Sequence, residues 1–166
     1  MKRRSAIAAS AAAFCAFPAA SARAGSGTAL DASVVRMKLQ KGITPDVAVD
    51  CLKLRANLRN MKQVGYLPLS KQVEAMVGKP QKLTEVFLFC NPLIAIEMVA
   101  ANIDFAAYLP CRITLTEDEA GGFWLVMLNL TPLIAQIPAG SALRAKAESV
   151  NDILMSIMHA GAAGAL

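Results

Sequence analysis

The sequence lacks the motifs on which most enzyme classes depend. It holds one histidine in 166 residues, and no Cys-x-x-Cys, Gly-x-Ser-x-Gly or phosphate-binding glycine loop. A covalently attached haem, a serine esterase and a nucleotide-binding domain each need one of these patterns. A single imidazole also leaves little choice of general base for a serine or cysteine nucleophile. These absences favour a protein that is not an enzyme.

Clustered basic charge is also scarce, except at the N-terminus. The formal net charge is +5, but the first 24 residues carry Lys2, Arg3, Arg4 and Arg23 and no acidic residue. The rest of the chain has 13 basic and 12 acidic residues and no basic stripe. Such a domain gives little reason to expect nucleic acid or an anionic membrane as a partner. No later apolar run reaches the roughly 18–20 residues of a membrane span.

The first 24 residues predict a cleaved signal peptide. They combine a basic start, a charge-free run from Ser5 to Ser21 and the small-residue triplet that ends at Ala24, where we place the cleavage. The mature protein is then periplasmic or secreted, and it begins with a flexible lead-in over 25–32. Removal of the leader takes Cys15 with it and leaves three cysteines.

The remaining sequence, 33–160, predicts one α+β domain, followed by a disordered tail over 161–166. The element order is strand, helix, helix, strand, helix, hairpin, helix, which predicts an antiparallel or mixed sheet of about four strands with helices packed on one face. The predicted strands cover 34–39, 83–90, 111–116 and 123–129.

Polar residues before prolines and apolar runs predict where the helices begin. Thr44, Ser70, Asn91 and Ser141 are expected to cap helices, and Gly161 is expected to end the last one. Cys51 is expected in the core, on the apolar face of the first helix. The helix after Asn91 is expected to bury the residues Leu93, Ile94, Ile96, Met98 and Val99.

Two cysteines stand in unusual local settings. Cys90 ends the best predicted strand immediately before the Asn91-Pro92 helix start, and Cys111 follows Pro110 at the opening of another strand. The amide groups of a helix N-terminus would stabilise a thiolate at Cys90 and lower its pKa. This setting suits a reactive or metal-binding thiol, provided that the two cysteines lie close together.

The elements Cys90-Asn91-Pro92 and Leu109-Pro110-Cys111-Arg112, with the acidic hairpin after them, resemble the domain of unknown function 302 family. The resemblance covers roughly 82–130, and the terminal helix over 141–159 agrees with it. It implies a compact α+β fold, often exported by bacteria, without an agreed activity. It also implies a shared site made of the residues Cys90, Asn91, Pro92, Pro110, Cys111 and Arg112.

Three functions for the cysteine pair remain open at this point. The first is an exported accessory domain in which Cys90 and Cys111 form a redox pair or a soft-metal site, with copper as the implied ion. The second is a structural protein-binding module, without catalysis, in which a Cys90–Cys111 disulfide stabilises the fold. The third is an enzyme that uses a thiolate at Cys90.

The additional ligands and the partners are predicted less directly. Met98 and His159 are candidates to complete a soft-metal site, although core packing for Met98 and a solvated helix end for His159 are the favoured interpretations. A periplasmic protein is the expected partner, and a homodimer is compatible with the sequence. The sequence does not identify a reaction, a substrate or a cofactor.

Overall fold

A computed structural model describes residues 32–165 of the chain. The predicted signal peptide and all but the last residue of the predicted lead-in lie outside the described residues. The strands are β1 (Val34–Lys38), β2 (Lys62–Leu67), β3 (Thr84–Cys90), β4 (Cys111–Glu117) and β5 (Phe123–Leu128). The helices are α1 (Pro45–Leu58), α2 (Leu69–Val77), α3 (Pro92–Ala101), a 3-10 helix (Ile103–Tyr108), α4 (Thr131–Ala135) and α5 (Ala142–Ala163).

The five strands form one antiparallel sheet in the order β1-β5-β4-β3-β2. The predicted α+β class is confirmed, with one strand more than the expected four. The added strand is β2, at the edge of the sheet, where most of its residues are exposed. A register shift between Gln63 and Gly65 breaks its alternation, so the period-two pattern that identifies a half-buried strand is missing.

One face of the sheet carries the main core. Phe87, Phe89, Ile113, Leu115 and Leu125 are each at most 1% exposed. They project from neighbouring strands onto the same face, because side chains alternate along each strand. Helices α1 and α5 pack together over them and add the buried residues Ala48, Leu52, Leu154, Ile157 and Met158. Cys51 is buried, as predicted.

Three of the four predicted helix caps are present. Thr44 accepts a hydrogen bond from the Val47 amide, Asn91 from the amides of Leu93 and Ile94, and Ser141 from the Arg144 amide. The prediction for Ser70 is wrong, because α2 begins at Leu69 and buries the Ser70 side chain within its first turn. Gly78 then ends α2 in the left-handed conformation, with φ +67°.

The last helix is longer than the sequence predicts. It continues through Ala163 and ends at Gly164, whose φ is +63°. Gly161 therefore lies inside the helix, and the predicted tail is wrong for 161–163. A Cβ at Gly161 would lie 2.8 Å from Leu52 Cγ and 2.9 Å from Leu125 Cδ1. Gly161 is a close-packing residue between α5, α1 and the sheet.

Helix α3 differs most from its prediction. None of its residues is fully buried, and Leu93 and Ile96 are 76% and 65% exposed. Ile94 and Met98 pack against the core from the other side of the helix. Because the helix is apolar on both sides, its sequence does not indicate which side faces inward. Within residues 32–165, none of the helices is long and apolar enough to cross a bilayer.

Candidate functional site

The two cysteines lie at one end of neighbouring strands. Cys90 is the last residue of β3, and Cys111 is the first residue of β4. Their strands are antiparallel, and Phe89 is the residue paired with Cys111. The fold therefore brings together two residues that are 21 positions apart in the sequence.

The supporting residues define the ends of these strands. Asn91 caps α3 directly after Cys90, and Pro92 occupies the first turn of that helix. Pro110 precedes Cys111, and the Leu109–Pro110 peptide is cis. Arg112 is exposed, since alternation along β4 directs it to the face opposite the main core.

A small apolar cavity lies beside the cysteines and has a volume of about 60 Å³. It is bordered by the end of the sheet, α3, the 3-10 helix, α4 and the start of α5. Four of its lining residues carry sulfur, namely Cys90, Cys111, Met61 and Met98. Most of the others are aliphatic or aromatic, so this is a partly open apolar space rich in soft donor atoms.

Burial keeps both thiols protonated at neutral pH. Burial raises the pKa of Cys111 to about 11, with a further contribution from the proximity of Cys90, while a backbone hydrogen bond and Arg112 act in the opposite direction. Burial also raises the pKa of Cys90. The expectation that the helix N-terminus lowers the pKa of Cys90 is therefore wrong, because loss of hydration disfavours the charged thiolate.

No disulfide is present among the three cysteines of the described chain, and Cys90 and Cys111 are free thiols. The disulfide of the second hypothesis is thus not part of this structure. A disulfide joins sulfurs about 2.05 Å apart and needs the two Cβ atoms to face each other. Cys90 is displaced by one residue from Phe89, the position paired with Cys111, and both cysteines line the same cavity.

The two additional ligand candidates have different outcomes. Met98 lines the cavity together with both cysteines. His159 is exposed on α5 and lies nine residues beyond Val150, the last α5 residue at the cavity. That separation is about 14 Å along the helix axis. His159 is therefore not brought to the site.

Met61 is a site residue that the sequence did not indicate. It lies between α1 and β2, is 1% exposed and contributes the fourth sulfur-bearing side chain of the cavity. In the sequence it is an ordinary apolar residue, and it lies next to β2, the edge strand that the sequence did not predict. Within residues 32–165, no group of three or more His, Cys, Asp or Glu side chains is placed to hold a metal. A metal at this cavity would need methionine as an additional ligand.

Comparisons with known proteins concern the fold and the family. The family model described as "Domain of unknown function DUF302" matches residues 35–161. No curated protein shows significant similarity to the chain. The crystal structure of an uncharacterized conserved DUF302 protein from Bacillus stearothermophilus superimposes with a TM-score of 0.62 at 14% sequence identity. It covers 76% of this chain and 95% of that one.

The family match includes both cysteine elements and every element of the sheet except the first residue of β1. The crystal structure shows that the α+β fold is shared, although few residues are identical. The resemblance inferred from Cys90-Asn91-Pro92 and Pro110-Cys111-Arg112 is therefore confirmed at the level of the family. The chain belongs to the DUF302 family.

Proposed function

We propose that this protein is an exported accessory domain that binds a soft monovalent metal ion, Cu(I), at the cavity beside Cys90 and Cys111. In this proposal the two cysteines ligate as thiolates, and Met98 provides a thioether. The observation that carries the proposal is the presence of four sulfur-bearing side chains around one apolar cavity. Thiolate and thioether ligands select soft ions such as Cu(I) over magnesium or calcium.

A metal ion held by two cysteines tolerates a wider separation of the sulfurs than a disulfide does. An ion ligated by two thiolates spans sulfurs as much as about 4.6 Å apart, judged from a metal–sulfur bond of about 2.3 Å. A disulfide needs a separation of about 2.05 Å. Cys90 and Cys111 are free thiols in the lining of one cavity, which is compatible with the wider spacing.

The protonation of the thiols also favours metal binding over thiol exchange or catalysis. Attack on a disulfide or a substrate requires a thiolate, and burial suppresses that form at Cys90 and Cys111. A metal ion can still bind to these buried thiols, because coordination displaces the proton of each thiol and the positive charge of the ion stabilises the thiolate. The redox pair and the Cys90 thiolate enzyme are thus less well supported than the metal site.

Proton release gives this proposal a specific pH dependence. If both thiols ligate, two protons leave for each Cu(I) bound, and each pKa lies above neutral. The apparent Kd should then fall about a hundredfold for each unit of pH between 6 and 8. A titration at three pH values measures this slope, and a slope near zero would exclude thiolate ligation.

Direct binding is best tested by anaerobic Cu(I) titration against a chromophoric chelator of known affinity. Cys90→Ser and Cys111→Ser should each weaken Cu(I) binding by about a hundredfold or more, and Met98→Leu by about tenfold. Mutation of a residue that only supports a metal ligand weakens metal binding by about tenfold to a hundredfold, and loss of a ligand should weaken it at least as much. Cys51→Ser and Met155→Leu are matched controls, because both residues lie outside the cavity lining. Equal losses in the controls, or no binding by the wild type, would refute the proposal.

Export is a separate part of the proposal. It rests on the basic start, the uncharged run and the small-residue site at Ala24. N-terminal sequencing of the protein from a periplasmic fraction should begin at Gly25. In this proposal a partner protein in the same compartment supplies or accepts the ion.

A further inference from the structure

A cleft of about 320 Å³ is formed by the 3-10 helix, the segment from α4 to Pro138 and the first turn of α5. It is larger than the sulfur-lined cavity, and it adjoins that cavity, since Phe105, Tyr108 and Leu133 line both spaces. None of the four sulfur-bearing side chains of the cavity lines the cleft. Its volume falls within the range of about 300–1,000 Å³ that is typical of sites for small organic molecules.

Much of the lining of this cleft is apolar. Phe105 and Ile137 are buried, and together with the half-buried Leu133 and Leu143 they belong to a small hydrophobic cluster. Tyr108 adds a second aromatic ring and is 38% exposed. An apolar group bound here loses contact with water, which favours binding.

The charge of the cleft comes from a single carboxylate. Asp104 is the only charged residue in its lining, and among residues 32–165 its side chain forms no ion pair. Arg144 approaches the same wall, where it donates a hydrogen bond to the Ile137 carbonyl, but its charge is compensated by Glu148 at 2.9 Å. The cleft therefore attracts cations and repels anions.

These two properties together select one class of ligand. A bare hard metal ion needs several oxygen ligands, and the cleft offers one carboxylate. A neutral apolar molecule would take water away from the Asp104 carboxylate without replacing its interactions, which is unfavourable. An organic cation pairs with the carboxylate and also covers the apolar wall.

We propose that this cleft binds an organic ammonium group attached to an apolar body. The ammonium pairs with Asp104, the body packs against Phe105 and Leu133, and the ring of Tyr108 offers the cation a further favourable contact. The cleft has room for about ten non-hydrogen atoms, judged from the roughly 30 Å³ that each water occupies in the liquid. The proposal does not rest on the Cu(I) site, because the lining of the cleft contains no sulfur.

Three probes of nearly equal size and different charge test the selectivity of the cleft. Benzylammonium, benzyl alcohol and benzoate are each titrated into the full chain at neutral pH and followed by amide NMR. Benzylammonium should bind with a Kd of about 1 mM or lower, an ordinary affinity for so small a ligand. Benzyl alcohol should bind about fivefold more weakly, and benzoate more weakly still. The largest shift changes should occur at the amides of Asp104, Tyr108 and Leu143.

Two variants separate the contribution of charge from that of shape. Asp104→Asn should weaken benzylammonium binding about fivefold, the upper end for an ion pair open to solvent, and leave benzyl alcohol within about twofold. Asp152→Asn is the matched control, because Asp152 is exposed on α5 and does not line the cleft. Gln136→Trp places a large ring at an exposed position of the lining and should weaken both probes about tenfold or more. The NMR spectrum of each variant reports whether it is folded, and Gln136→Phe replaces Gln136→Trp if the larger ring disturbs the domain.

Several results would overturn the proposal. Equal affinities of the wild type for benzylammonium and benzyl alcohol would remove the selectivity for a cation, as would full affinity for benzylammonium in Asp104→Asn. Binding that is unchanged by the aromatic substitution of Gln136, or shift changes centred on other residues, would place the binding site outside the cleft. No saturable binding of benzylammonium would overturn the proposal as well.

The same ammonium chemistry is offered by a free amine and by the lysine side chain of another protein. Competition against benzylammonium distinguishes these sources, with butylammonium as the free amine and Nα-acetyl-lysine methylamide as the side chain with its backbone. A lower competing concentration for butylammonium assigns the cleft to free amines, and a lower one for the lysine derivative assigns it to a protein partner. Failure of both to compete would contradict the proposal.

Discussion

The two ends of strand β4 are built from opposite chemistry. At the hairpin end, Asp118 accepts hydrogen bonds from the indole of Trp124 at 2.7 Å and from the amides of Gly122 and Ala120 at 2.7 and 2.9 Å. Lys82 also binds the carboxylate of Glu119 at 2.6 Å. At the other end, Cys111 opens onto an apolar cavity with few polar groups.

The hairpin end is held by polar hydrogen bonds and stabilises the fold, whereas the cavity end offers an apolar surface that could bind a ligand. Hydrogen bonds to one carboxylate fix the hairpin, whereas apolar contacts and one cap at Asn91 fix the cavity end. An exposed α3 and a 3-10 helix cover that end, so its packing is incomplete. Ligand sites are commonly found where rigid strands meet less stable covering elements.

The largest expected effect tests whether apolar packing holds the cavity end. Phe89→Ala removes a side chain with no exposed surface next to Cys111 and should lower the free energy of unfolding by about 3–5 kcal/mol. Leu93→Ala, on the exposed side of α3, should change it by no more than about 0.5 kcal/mol. Chemical denaturation measures both, and similar losses would contradict the described packing.

A smaller loss is expected at the centre of the core, between the two ends. Gly161→Ala places a methyl group against Leu52 and Leu125, and should destabilise the protein by about 1–3 kcal/mol through overpacking. Helix propensity alone predicts that the same change raises the free energy of unfolding by about 1 kcal/mol. The sign of the measured change in stability therefore distinguishes overpacking from helix propensity. Ala145→Gly, at an exposed position of α5, should show the ordinary loss of about 1 kcal/mol.

The cap that begins α3 should contribute less. Asn91→Ala removes the acceptor for the amides of Leu93 and Ile94 and should cost about 1 kcal/mol. Asn91→Asp retains an acceptor and should be close to the wild type in thermal melting. If Asn91→Ala is equally neutral, the cap does not contribute to the stability of the cavity end.

The smallest effect is expected at the hairpin in acid. The pKa of Asp118 is lowered, first by the hydrogen bond from Trp124 and then by that from the Gly122 amide. The ionised carboxylate therefore stabilises the fold above the ordinary value of 3.8, and this contribution is lost as the pH falls through the lowered pKa. Trp124 fluorescence should change only in that acidic range, and Asp118→Asn should remove the change.

Much of the fold could be predicted from local signals. The caps at Thr44, Asn91 and Ser141 and the β4–β5 hairpin were predictable, because each depends on residues within a few positions of each other. Strand β2 was not, since its register shift and two-sided exposure remove the alternating pattern. The inward side of α3 is decided by distant packing partners that its own apolar sequence does not specify.

The site was predictable in part. Cys90 and Cys111 could be identified because each borders a strand end marked by proline or asparagine. The raised thiol pKa values could not be predicted, because they depend on how completely the fold removes water from each sulfur. Met61 was missed because it reaches the site only through tertiary packing.

The pairing of β1 affects when the sheet can be completed during synthesis. Strands β2 to β5 are neighbours in both sequence and space, but β1 pairs only with β5, with Val34 opposite Leu128. Of the strands in the described part of the chain, the first to leave the ribosome must therefore wait for the last before it can hydrogen-bond. Until then its apolar residues Val34, Val35 and Met37 have no sheet to join. The β1–β5 pair joins residues that are far apart in the sequence, and such contacts form slowly. The sheet is therefore completed late, and the apolar residues of β1 stay exposed for longer during synthesis.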